Sequence, residues 1–136
     1  MVELVTEALG GQVHLKKIAV LGLAFKPDSD DVRDSPALDV AVRLHGLGAK
    51  VIATDPAAIP NSIRLHPQLG FATDIDDALH GADAVVLVTE WQQFRDLDPV
   101  ATGSLVRQKL VIDGRNVLQP TTWRDAGWTY RGMGRP

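Results

Sequence analysis

The stretch "KKIAVLGLAF", residues 16–25, decides the fold. It is apolar without a break from Ile18 to Phe25 and flanked by lysines. Continuous rather than alternating apolarity describes a strand buried on both faces, as in a parallel sheet between helical layers. Downstream, Ser35-Pro36 reads as a helix N-cap followed by a proline in the first turn. Ala37, Val40, Ala41, Leu44 and Leu47 give that helix one apolar face, and Gly46 and Gly48 close it. "KVIATDP", residues 50–56, is a second strand stopped by Pro56. From Ala57 to Gly70 the chain reads as irregular, because Pro60 and Pro67 limit any helix. "FAT", residues 71–73, is a short third strand, and Asp74 caps a helix running through Ala78 to His80. "ADAVVLVT", residues 82–89, is the fourth strand; helical turns follow from Trp91 to Leu97 and through Val106. "KLVIDG", residues 109–114, is the fifth strand, and "WTYRGMG", residues 128–134, adds a short last one. Upstream, Val2, Leu4, Val5 and Leu9 recur at helical spacing up to Gly10-Gly11. They describe either the tail of a preceding region or a frayed terminal helix. Strands alternating with helices require right-handed crossovers. The predicted fold is therefore α/β: a Rossmann-like, doubly wound parallel sheet in three layers, with strand order near 3-2-1-4-5.

The bulk composition narrows the function. A chain of 136 residues with 45% hydrophobic content supports one domain with a proper core. A net charge of −3 argues against nucleic acid or an acidic membrane as the main partner, so an anionic ligand must be held by a few placed cations. There is no cysteine, which excludes disulfides, thiolate metal sites and a thiol nucleophile, and fits a cytoplasmic setting. No apolar run approaches the ~20 residues of a membrane helix. The opening "MVELVTEALGGQ" carries acids rather than a basic leader, so it does not read as a signal peptide. His14, His45, His66 and His80 lack ligand spacing, so no metal site is expected. No G-x-S-x-G elbow occurs and no acid/base pair stands out, so no catalytic residue is assigned.

Ligands of doubly wound sheets bind beyond the carboxyl ends of the strands. That rule selects the loop after Phe25, the Asp55-Pro56 turn, "TEW" at 89–91 and "DGRNVL" at 113–118. The first loop has Gly22 but no G-x-G-x-x-G, which disfavours a dinucleotide held on a helix N-terminus. Asp55 matches the position of a ribose-binding acid, or else caps its own turn. Lys26 and Arg115 each follow a predicted central strand and should face one crevice. A diphosphate needs such cations, lysine as a mobile point charge and arginine as a planar fork. Either could instead pair with Asp28, Asp30, Asp31 or Asp113. Arg33 sits among four aspartates, where local salt bridging competes with a functional role. Trp91 and Phe94 read as core packing. The residues alone thus describe an anion-binding crevice on a Rossmann-like domain.

The string "VLGLAFKPDSDDVRDSPALDVAVRLHGLGAKVIATDP", with "ADAVVLVTEWQQF", "LVIDGRNVL" and "YRGMGRP", resembles the C-terminal domain of the UDP-glucose/GDP-mannose dehydrogenases. The UDP-glucose 6-dehydrogenase branch is the most similar. The resemblance implies that residues 17–136 form a UDP-sugar-binding domain and residues 1–16 the end of a central helical region. It implies a larger, homo-oligomeric cytoplasmic enzyme that oxidises the C6 alcohol of UDP-glucose, or a related UDP-sugar, to a carboxylate with two NAD. A separate N-terminal domain would bind the NAD, and the catalytic cysteine would lie outside this chain, leaving it inactive alone. Carried over position by position, Phe25, Lys26 and Arg115 would contact the substrate, and Arg33 would approach the cofactor. A stand-alone nucleotide-sugar-binding or interaction module, or a domain acting on UDP-N-acetylmannosamine or GDP-mannose, is the alternative.

Overall fold

Strand β1 (Lys17–Leu21) is hydrogen-bonded on both sides, in parallel, to β2 (Lys50–Thr54) and to β4 (Ala84–Leu87). In the computed structural model, which describes residues 1–134, this trio is the centre of a six-stranded sheet of order 3-2-1-4-5-6. The outer strands are β3 (Gly70–Phe71), β5 (Leu110–Asp113) and β6 (Thr129–Gly132), and every pairing is parallel. The doubly wound expectation is met, and the short last strand extends the order beyond 3-2-1-4-5. Ile18 to Leu21, Ala84 to Leu87 and Leu110 to Asp113 are all buried, the reason those runs carry no polar alternation. Arg135 and Pro136, which end the "YRGMGRP" motif, lie outside the described residues.

Seven helices connect and flank the strands among the described residues: α1 (Val2–Ala8), α2 (Pro36–Gly46), α3 (Ile59–Leu65), α4 (Ile75–Leu79), α5 (Gln92–Arg95), α6 (Pro99–Gly103) and α7 (Pro120–Asp125). Helix α2 starts as expected. The Ser35 Oγ accepts from Leu38 N at 3.3 Å and donates to Leu23 O at 2.8 Å, tying the cap to the end of β1. Helix α3 corrects the irregular reading of 57–70. Pro60 occupies its first turn, where a missing N–H costs nothing, so proline there starts the helix instead of barring it. Helix α7, which the sequence reading does not include, likewise has a proline, Pro120, in its first turn. Val2, Val5 and Val13 are buried with the strands, so α1 packs onto the domain. None of the helices is long and apolar enough to cross a membrane.

The sheet's order reverses between β1 and β4, and their carboxyl ends meet at Gly22 and Thr89. Gly22 has φ +116°, and an added Cβ would lie 2.5 Å from Thr89 Oγ1 and 2.6 Å from its backbone nitrogen. Both conformation and space demand glycine here. Gly22→Ala is expected to destabilise the protein by about 3 kcal/mol, read by urea denaturation, because backbone strain and overlap with main chain add.

Candidate functional site

The carboxyl edge of the sheet is organised by one buried acid, Asp55, at the end of β2. Its Oδ2 accepts from Leu23 N and Ala24 N, each at 2.9 Å, and from Trp91 Nε1 at 3.1 Å. Its Oδ1 accepts from Ala57 N at 2.8 Å and Ala58 N at 2.9 Å. Of the two readings of Asp55, turn capping is right, and it is only part of the role. The same carboxylate joins the chain leaving β1, its own turn after β2, and the tryptophan after β4. With its oxygens spent on internal donors and 4% of its surface exposed, Asp55 has nothing to offer a ribose. Together with the absent glycine motif, this makes the domain a poor fit for a dinucleotide of its own.

The loop from Phe25 to Asp34 is held in shape by its own backbone. Phe25 N donates to Asp31 O at 2.8 Å, and Asn61 Nδ2 of α3 donates to Asp30 O at 2.9 Å. Thr89 Oγ1 donates to Ala24 O at 2.9 Å, fastening the loop's start to β4. Asp28 and Asp34 adopt φ of 61° and 52°, the left-handed region that aspartate tolerates better than most residues. On this frame Phe25 is 52% exposed and Lys26 is exposed beside it. Among the described residues Lys26 has no ion pair within 4.0 Å, so it does not pair with Asp28, Asp30 or Asp31.

Arg33 follows the local reading in its geometry. Its Nε and Nη2 donate to the two oxygens of Asp31 at 3.1 and 3.0 Å, and its backbone N to Asp31 Oδ1 at 2.9 Å. The Arg33 hydrogen bonds hold the Asp31 carboxyl down at about 2. The arginine side chain remains 87% exposed. It borders a hollow of about 440 Å³ between the loop and Asn61, Arg64 and Leu65 of α3.

Arg115 stands after β5, next to β4 in the sheet, on the same carboxyl edge as Lys26. Its guanidinium does not pair with Asp113, which corrects one of the expected alternatives. Asp113 is fully buried; it caps its own loop by accepting from Arg115 N at 3.2 Å and Leu118 N at 2.8 Å, and from Tyr130 Oη at 2.8 Å. The guanidinium turns instead to Glu90: Nε lies 2.8 Å from Oε2 and Nη2 3.3 Å from Oε1. Hydrogen bonding from Arg115 lowers the Glu90 carboxyl below its ordinary range, against the opposing effect of partial burial. Glu90 also borders a second hollow, about 520 Å³, that opens between it, Pro27 and Asp28, Trp91, and Gln92 and Gln93 of α5. Trp91 and Phe94 are buried, in keeping with core packing. Among the described residues no three His, Asp or Glu side chains converge as a metal site.

The edge therefore presents two cations on the ends of β1 and β5, Lys26 and Arg115, with Glu90 of the β4 end between them in strand order. Glu90 was the residue that sequence reasoning passed over. "TEW" flagged its position, but only the sheet order shows which cation it meets.

Residues 19–120 match the UDP binding domain of the UDP-glucose/GDP-mannose dehydrogenase family. The UDP-glucose 6-dehydrogenase TuaD of Bacillus subtilis is 42% identical over 127 residues, 93% of this chain and 28% of that protein. A UDP-glucose 6-dehydrogenase of Rhizobium meliloti is 42% identical over 132 residues, 97% of this chain and 30% of that protein. Among solved structures, a UDP-glucose dehydrogenase from Pyrobaculum islandicum superposes with a TM-score of 0.79 at 35% identity, covering 96% of this chain and 28% of that one. The chain spans less than a third of the length of these relatives.

Proposed function

This chain belongs to the UDP-glucose/GDP-mannose dehydrogenase family, and on that premise we propose that its carboxyl edge holds the diphosphate of UDP-glucose. Lys26 and Arg115 neutralise the two phosphates, lysine as a point charge and arginine through its fork, while Phe25 and the loop backbone bear on the nucleotide. What carries the reading is the pair of cations at strand ends: among the described residues Lys26 has no ion pair within 4.0 Å and Arg115 is held by the carboxylate of Glu90. The naming of the similar proteins favours glucose as the sugar. Residues 17–136 act as the UDP-sugar domain, and residues 1–16 end a preceding helical region.

On this reading the chain binds and orients, and does not carry out the oxidation. It has no thiol to form a covalent intermediate, and its own strand ends do not fit NAD. The cofactor is held by a separate N-terminal domain in a cytoplasmic, homo-oligomeric enzyme. Arg33, exposed at the rim of the loop, faces that domain across the cleft. Fixing the diphosphate on a rigid sheet edge aims the sugar's C6 away from this domain and toward the missing machinery.

Calorimetric titration of the full-length protein with UDP tests the proposal. Saturable binding is expected, with uridine far weaker because it brings no charge to Lys26 and Arg115. Uridine binding as tightly as UDP would sink the assignment.

A further inference from the structure

We propose that Glu90 is a positioning residue of this site: its carboxylate grips Arg115 by one edge and holds the other edge ready for phosphate. The inference rests on the reading of Arg115 given above and adds a residue to it. A guanidinium carries five donors in a planar fork, with a side edge made by Nε and one Nη and an end edge made by both Nη groups. Glu90 takes the side edge, through Nε at 2.8 Å and Nη2 at 3.3 Å. Nη1 makes no hydrogen bond among the described residues, so the end edge stays available to a second bidentate partner.

Glu90 can do this because it is itself anchored. It lies three residues beyond β4, after the buried Thr89, and precedes Trp91, whose indole is tied to Asp55. Its side chain is only 25% exposed, against 41% for Arg115. An untethered arginine would lose its rotamer freedom when it binds a ligand; here that ordering is done in the folded protein. The carboxylate also repels an incoming anion. That repulsion acts across the guanidinium at a partly exposed site, where solvent and salt weaken it, so ordering outweighs it.

The test is the affinity of the full-length protein for UDP in a mutant cycle, with melting temperatures recorded alongside. Glu90→Ala is expected to weaken UDP about tenfold, and Glu90→Gln about threefold, since the amide oxygen keeps one acceptor for the fork. In an Arg115→Lys background, where no fork exists to hold, Glu90→Ala should change the affinity by less than about twofold. Unchanged or tighter binding in Glu90→Ala overturns the inference, as does a tenfold loss that persists with lysine at 115. Weakening by Arg115→Lys with no effect at Glu90 would leave the diphosphate reading standing and remove this one. A wild type that does not bind UDP removes both.

Discussion

Asp55→Ala is expected to leave the protein largely unfolded at room temperature. Truncation strands four backbone N–H groups, those of Leu23, Ala24, Ala57 and Ala58, and the indole N–H of Trp91. Each buried donor left without an acceptor costs about 1–3 kcal/mol; Ala57 is exposed and water can take its N–H, but the other four together approach the about 5–15 kcal/mol that holds a typical domain folded. Glycine-like relaxation cannot rescue them, because three different strand ends would have to move at once. Asp55→Asn keeps the shape but turns an NH2 group toward donors, and should cost about 3 kcal/mol. Trp91→Phe removes only one bond of the five and should cost about 1 kcal/mol. Urea denaturation followed by circular dichroism measures all three. The order Ala, then Asn, then Phe is the informative result. If Asp55→Ala unfolded at the wild-type urea concentration, the carboxylate would not be the joint we describe.

The contrast between what was legible and what was not has a physical basis. The strands announced themselves, because a strand buried on both faces has no polar residue to interrupt it; "KIAVL" and "AVVL" are cases. Caps were legible too, since Ser35 and Asp74 act on backbone only three and two residues away. The α3 segment was misread because Pro60 is a breaker inside a helix and a starter at its first turn, and periodicity in so short a segment does not say which. The partners of acids were the least legible. Asp55 reaches Trp91 across 36 positions, and Arg115 reaches Glu90 across 25 while Asp113 sits beside it in sequence. Nearness along the chain favoured Asp113, but burial and the Leu118 and Tyr130 donors had already claimed it. The strand-end rule located the loops; only the sheet order 3-2-1-4-5-6 assigned the pairs.

Arg115→Ala should raise the dissociation constant for UDP about a hundredfold in the full-length protein. Two charge-assisted hydrogen bonds to phosphate, each about 1.5 kcal/mol, sum to about 3 kcal/mol, which is that factor. Arg115→Lys keeps the charge but not the fork and should fall between, at about tenfold. Lys26→Ala should cost about tenfold, because a mobile ammonium on an exposed loop contributes mainly Coulomb attraction. Salt separates the two roles: the Lys26 contribution should fade as ionic strength rises, while the directional Arg115 contribution persists. Stability provides the control. Arg115 is half-exposed and pairs with a single carboxylate, an arrangement that contributes about 0–1 kcal/mol, and Lys26 has no ion-pair partner among the described residues. Neither variant should therefore shift the urea midpoint appreciably, in contrast to Asp55→Ala. Loss of UDP affinity without loss of stability is what a ligand site predicts. Loss of neither, in both variants, would mean that these cations merely solvate the end of the sheet.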